Sequence, residues 1–275
     1  MRTVKLLFLL GILTGTFLSC SKDRGLNLFT LNQDIEFGRV MDSTIKADPT
    51  EYPILDPIEY SDAYDYLNEM LNSILLSEKI KYKSRFEWEI TIINKDVMNA
   101  FAVPGGRLYF YTGLMKYLDD AASLAGVLGH EVAHVDLRHS TKTLTDVYGI
   151  SLLVSLLVGK NSSELANIAG QMATGAAALK FSRNHEYDAD RYSVYYLTTT
   201  KFNPEGIASF FIKLREDGHD GTTFEFLSTH PDDEKRVDNI NEVWEEDDFV
   251  QEKKSGRSYA NYEQEYYDEL ISKLP

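Results

Sequence analysis

Cysteine is almost missing from this chain: Cys20 is the only one in 275 residues. No intramolecular disulfide can form, and stability must come from a packed core. Proline is also scarce, at 7 residues, while 43% of the chain is hydrophobic. That balance fits one globular domain and excludes collagen-like, low-complexity and disordered classes. Cations are in short supply, with 28 Lys and Arg against 43 Asp and Glu, for a net charge of −15. Such a surface repels phosphate, so nucleic-acid binding and electrostatic attraction to anionic lipid are excluded. The apolar runs at residues 6–18 and 147–158 both fall short of the roughly 20 residues that a membrane-spanning helix needs. No internal repeat is visible, and nothing in the chain sets an oligomeric state.

The short run at the N-terminus has a layout of its own. Arg2 and Lys5 precede it, and Ser19-Cys20 closes it, which is the arrangement of a secretory signal over residues 1–19. Phe17-Leu18-Ser19-Cys20 resembles the bacterial lipobox, with Phe17 in place of the usual small aliphatic residue. The resemblance implies that Cys20 is lipidated and becomes the first mature residue. Removing a leader with two cations and no acid leaves the mature chain two charges more negative. Membrane attachment is therefore expected through the lipid alone, and Ser21 resembles the sorting residue of outer-membrane lipoproteins facing the periplasm.

Residues 20–34 read as a lipidated N-terminus and polar tether, 35–245 as the main domain, and 246–275 as an acidic, tyrosine-rich tail with a terminal helix over 262–274 that is either solvated or docked. Helices are expected at 35–45 and 60–77. Residues 86–93 are rich in aromatic and β-branched types and predict a strand. Two more strands follow at 99–103 and 107–111, separated by the Pro104-Gly105-Gly106 turn. From Leu114 onward the pattern is helical, over 120–145, 147–158 and 163–181. The apolar 147–158 stretch suits a buried helix or an amphipathic cover over a cleft. Asn203-Pro204-Glu205-Gly206 supplies a cap, a first-turn proline and an acid, so a further helix should begin near Pro204. The fold class is α+β, mostly helical with a small mixed or antiparallel sheet.

The chemistry starts at His130-Glu131-Val132-Ala133-His134. Helical residues four apart differ by about 40° and stand one turn above each other, so both imidazoles can reach one Zn²⁺. Glu131 projects about 100° away, where it can address a water. A metzincin continuation would need glycine at 137 and histidine at 140, but Leu137 and Ser140 stand there. His139, nine residues beyond His130, should point to the far side of a continuous helix. The best source of a third ligand is Ser182-Arg183-Asn184-His185-Glu186-Tyr187-Asp188-Ala189-Asp190-Arg191. Glu186 and Asp190 share a face there, so one carboxylate can bind metal while the other supports it. His185 is a competing donor, and His219, beside Gly218, reads as a loop residue.

Together these two segments resemble the gluzincin zinc metallopeptidase family that contains HtpX, the CAAX prenyl endopeptidases and the BepA-type periplasmic proteases, over roughly residues 35–245. The resemblance implies a zincin-type fold with one zinc per chain held by His130, His134 and Glu186. It makes Glu131 the general base and Asp190 the outer acceptor for a ligand histidine. Asp188 departs from the family's usual Glu in that pattern, and His185 has no counterpart as a ligand. Residues 99–106 resemble the family's cleft-bordering strand, which makes Asn99 and Ala100 candidates for substrate binding. Leu227-Ser228-Thr229-His230-Pro231, followed by Asp232, Asp233 and Arg236, matches a further family segment. It implies that His230 either fills the open coordination position at rest or stabilises the oxyanion during turnover.

The expected activity is endoproteolysis of polypeptides, with misfolded or unassembled cell-envelope proteins as substrates. One rival is a chaperone or assembly factor that uses the groove mainly for binding. The other is a structural lipoprotein with a closed, noncatalytic zinc site.

Overall fold

The computed structural model describes residues 26–158, 162–173, 180–218, 225–231 and 235–275. The signal peptide, Cys20 and Ser21, along with His219, Asp232 and Asp233, lie outside the described residues, as do the side chains of 150–158.

The chain opens with α1 (Leu31–Lys46), started by a capping box in which Thr30 and Gln33 bond each other's backbone N–H. The helix expected at 35–45 therefore starts four residues earlier, and residues 31–34 form the first turn of α1. Next come α2 (Ser61–Leu75), β1 (Glu89–Ile93), β2 (Ala100–Val103), β3 (Arg107–Tyr111) and the short α3 (Thr112–Tyr117). The sheet is mixed, with order β1-β3-β2: β1 runs parallel to β3, and β2 runs antiparallel to it. β1 starts three residues later than expected. One face of the sheet carries Ile90, Ile92, Leu108 and Phe110 into the main core, and the other carries Ile93, Val103, Tyr109 and Tyr111 into a second cluster with α1. Burial on both faces explains why these strands lack a full alternation of apolar and polar residues.

The centre of the molecule is α4 (Ala121–Asp136), every residue of which is buried. Asp120 caps it by accepting the Ser123 N–H at 2.7 Å. The single helix expected over 120–145 breaks after Leu137. Arg138 takes φ 60°, a left-handed stop usually filled by glycine, and α5 (His139–Val158) sets off in a new direction, with a kink at Gly149. The guanidinium of Arg138 bonds the buried Asp34 carboxylate and the Phe29 carbonyl. These bonds offset the roughly 1–2 kcal/mol that this backbone costs an L-residue.

The remaining elements are α6 (Ser162–Ala173), α7 (Arg183–Leu197), α8 (Gly206–Glu216), α9 (Glu225–Thr229), α10 (Lys235–Glu246), α11 (Asp248–Lys254) and α12 (Glu263–Glu269). α8 begins two residues later than expected, because Asn203 Oδ1 accepts the Glu205 N–H in a local turn instead of capping the helix. Two glycines let α4 sit against its neighbours. A Cβ on Gly126 would stand 2.2 Å from the Ile207 backbone N of α8, and one on Gly129 would stand 2.7 Å from Ser193 Oγ of α7. The C-terminal segment is docked: Tyr266 is buried and its hydroxyl donates to the Met115 carbonyl at 2.6 Å. No described helix is long and apolar enough to cross a membrane.

Candidate metal centre

Four donor groups meet at one buried point. Ligand atoms of His130, His134, Glu186 and His230 all lie within 4.8 Å of one another. His130 and His134 come from one face of α4, and their Nε2 atoms stand 2.9 Å apart. Glu186 comes from the first turn of α7, which Ser182 caps by accepting the His185 N–H at 3.2 Å. The Glu186 carboxylate lies 3.5 Å from His130 Nε2 and 3.6 Å from His134 Nε2. His230 follows the five-residue α9, which is tied to the core by Phe226 N–H donating to the Met98 carbonyl and by Phe181 N–H donating to the Thr229 carbonyl. Its ring stacks on Phe226, with 4.4 Å between centroids. Its Nδ1 lies 3.3 Å from both His130 Nε2 and a Glu186 oxygen.

A metal ion suits this point on two observations of the structure itself. Both Glu186 oxygens and Glu131 Oε1 are buried and lack a hydrogen-bond partner, a condition that costs about 1–3 kcal/mol per group unless something electropositive answers it. The convergent set of imidazole nitrogens and carboxylate oxygen also matches the borderline-soft ligand chemistry of zinc. Arg236 Nη1 stands 2.9 Å from Glu186 Oε2, but out of hydrogen-bond alignment, so the carboxylate remains able to coordinate.

The supporting groups differ from ligand to ligand. Asp190, one turn beyond Glu186, accepts from His130 Nδ1 at 2.9 Å and fixes that ring's tautomer. Arg236 on α10 is wholly buried and grips Asp190 through Nε at 2.7 Å and Nη2 at 2.6 Å, with its guanidinium over the Phe211 ring. Burial raises the Glu186 and Asp190 carboxyls, but the combined pull of Arg236 and the neighbouring histidines, His230 and His130 for Glu186 and His130 for Asp190, holds Asp190 below and Glu186 well below its ordinary value. Burial lowers His130, but its bond to Asp190 and the nearby Glu186 carboxylate prevail and raise it; His134 is pushed well down by burial and by the His130 charge. Glu131 stands apart. Burial lifts its carboxyl to about 7, against the pull of His230 and Arg236 and with a further push from Glu186.

His139 corrects the sequence reading most sharply. The helical extrapolation sent it to the far side, but the Arg138 turn ends α4, and His139 comes back buried, with Nδ1 3.0 Å from His134 Nδ1. His185 lies outside the donor cluster. It stacks on His139 at 4.3 Å and its Nδ1 is 3.3 Å from Thr143 Oγ1. Ala100 is also corrected. Its side chain is fully buried in the core, whereas Asn99, Phe101 and Ala102 line the cleft with Glu131 and His230. Period-two alternation separates Ala100 from Asn99 and Phe101; Ala102 shares the Ala100 face but is only half-buried and so still reaches the cleft lining. Arg236 stands in the matched sequence segment, but the sequence assigns it no role; the one available signal was its position five residues after Pro231.

A buried set of two histidines and a glutamate, next to a second carboxylate with one unpartnered oxygen on a cleft bordered by a sheet edge, defines a metal-dependent hydrolase of the zincin type. Residues 63–243, more than half of the chain, match the model of peptidase family M48, and the chain belongs to that family of zinc metallopeptidases. It is 32% identical over 149 residues to the mitochondrial metalloendopeptidase OMA1 of Arabidopsis thaliana, covering 54% of this chain and 30% of that protein. It is 30% identical over 184 residues to the beta-barrel assembly-enhancing protease of Escherichia coli, covering 62% of this chain and 37% of that one. With the metalloprotease YcaL of Escherichia coli it shares 33% over 147 residues, 52% of this chain and 57% of the other. The aligned part thus spans about a third of the length of the first two relatives.

Proposed function

We propose that this protein is a zinc endopeptidase that cleaves unfolded or unassembled polypeptides of the cell envelope, with one zinc per chain held by His130, His134 and Glu186. The observation that carries this reading is Glu131, a buried carboxylate with an unpartnered oxygen beside the donor cluster and on the wall of the cleft. When bound, zinc supplies Lewis acidity, polarising the peptide carbonyl and bringing the pKa of a water near 7. Glu131 takes the proton from the attacking water and hands it to the leaving amine, two transfers that its place on the cleft wall beside the donor cluster allows. Asp190 and Arg236 keep the His130 ring and the Glu186 carboxylate oriented.

The substrate is expected to lie as an extended strand. β2 is a sheet edge with one side unpaired within the sheet, and such an edge reads backbone more than sequence. Asn99, Phe101 and Ala102 stand at that edge, and Met41, Tyr52, Tyr111 and Phe181 continue the lining. An apolar cleft of this kind suits chains that expose their core residues. Envelope location rests on the signal and lipobox pattern around Cys20, and the E. coli relative named for β-barrel assembly accords with it. His230, already within 3.3 Å of two donor groups, supports a resting state in which it fills the fourth position until substrate displaces it. That closure also leaves room for an assembly-factor role without constant hydrolysis.

The deciding experiment measures metal content and casein hydrolysis for the wild type and Glu131→Gln. One equivalent of zinc in both, with cleavage by the wild type alone, supports the peptidase reading. Retained client binding with no cleavage by either protein supports the assembly-factor reading, and absence of zinc removes the proposal.

A further inference from the structure

The outer partners of the two histidines in the donor cluster are unlike. His130 Nδ1 faces the Asp190 carboxylate, whereas His134 Nδ1 faces another imidazole, His139 Nδ1, at 3.0 Å. Both rings are buried, and His139 is itself held in place, stacked on His185 with planes 13° apart. Phe181 covers the face of His134, with 4.2 Å between centroids.

The geometry constrains where the protons sit. Nε2 of His134 points into the donor cluster, 2.9 Å from His130 Nε2, so its lone pair is the one offered to metal. The proton of a neutral His134 ring must then sit on Nδ1, and Nδ1 can only donate. A hydrogen bond of 3.0 Å between two Nδ1 atoms needs one donor and one acceptor. His139 must therefore accept at Nδ1 and carry its own proton on Nε2.

We propose that His139 is the positioning residue of His134, acting as a neutral acceptor that fixes the tautomer and ring plane of the second histidine ligand. This rests on the metal reading above. A carboxylate at this place would add a negative charge near the buried Glu186, whose guanidinium partner, Arg236, also holds Asp190. A neutral imidazole orients the ligand without that charge. The sequence-level cause is the left-handed Arg138, which turns the chain so that the residue after the helix returns to the helix's own ligand.

Zinc affinity by chelator competition in the full-length protein tests this, together with kcat, KM and the melting temperature of the zinc-free form. His139→Asn keeps an acceptor oxygen near the position of Nδ1 and should stay close to wild type. His139→Phe keeps bulk and stacking but no acceptor, and should lose about 10–100-fold in zinc affinity or kcat, with KM unchanged. The long-range nitrogen–proton spectrum of the zinc form should show His139 protonated on Nε2 alone. Wild-type protein that binds no zinc overturns this proposal and the metal reading together. Normal zinc binding by wild type with undiminished affinity and turnover in a folded His139→Phe overturns this proposal only. So does a His139 ring protonated on Nδ1, or an Asn variant as impaired as Phe.

Discussion

The α4–α7 pair and the α9–α10 segment deliver groups to the same point by different means. α4 is wholly buried and α7 packs one face against it, with Ser193 Oγ donating to the Gly126 carbonyl at 2.8 Å, and each carries a pair of site residues one helical turn apart. α9 has five residues and depends on backbone hydrogen bonds to Met98 and Phe181 to place His230, while α10 contributes the single buried cation Arg236. The first region therefore forms a fixed floor under the donor cluster, and the second a wall beside it that balances charge. Local helical geometry suffices to build the first. The second exists only once distant segments have packed.

The largest effect should come from the floor. Glu131→Gln removes the proton carrier without touching a donor, so kcat should fall by about 10²–10⁴-fold with zinc retained, as read by turnover and metal analysis. The same variant should behave differently in stability. With a folded-state carboxyl at about 7, the wild type loses stability as pH rises through the window where the unfolded carboxyl is ionised and the folded one is not, and keeps that loss above it. In zinc-free protein the Gln variant should thus match wild type below about pH 4.3, gain on it as pH rises, and level off above about 7. Urea unfolding across pH 4–8 checks the sign.

Arg236→Met probes the wall next. It leaves the buried Glu186 and Asp190 without their cation and should destabilise the zinc-free protein by about 3–5 kcal/mol, with zinc restoring part of the loss. Equal stability with and without Arg236 would dissolve the distinction between floor and wall. Gly126→Ala tests the packing behind the floor. Its Cβ would stand 2.2 Å from the α8 backbone, and thermal melting should show a loss of about 1–3 kcal/mol. Tyr266→Phe is the mildest, deleting one buried hydrogen bond between α12 and Met115 for about 0.5–1.5 kcal/mol with the site unaffected.

Much of the floor was legible in the residues alone. HEVAH on an apolar helix, and Glu186 four residues before Asp190, specify their relative directions through the 100° step of the α-helix. The same rule failed at His139, because it holds only while the helix continues, and the left-handed Arg138 is stabilised by Asp34, 104 residues away in sequence. The strand is a separate case: of its two candidates, Asn99 lines the cleft while Ala100 is buried in the core and Phe101 lines the cleft beyond it, a choice that the packing of both sheet faces makes.

By itself the sequence marked the candidate residues for the chemistry, the shared face of paired donors along a helix and a mostly helical class with a small sheet, since these follow from periodicity and donor type over a few residues; that the sheet is mixed is a finding of the structure. Only the tertiary structure decided that two helices share one point, that Arg236 lies against both Glu186 and Asp190, that His139 backs His134 and that the C-terminal segment docks on the core. Each of these is a contact between segments far apart in the chain. Burial and charge balance, which no local pattern encodes, select among the ways those segments could meet.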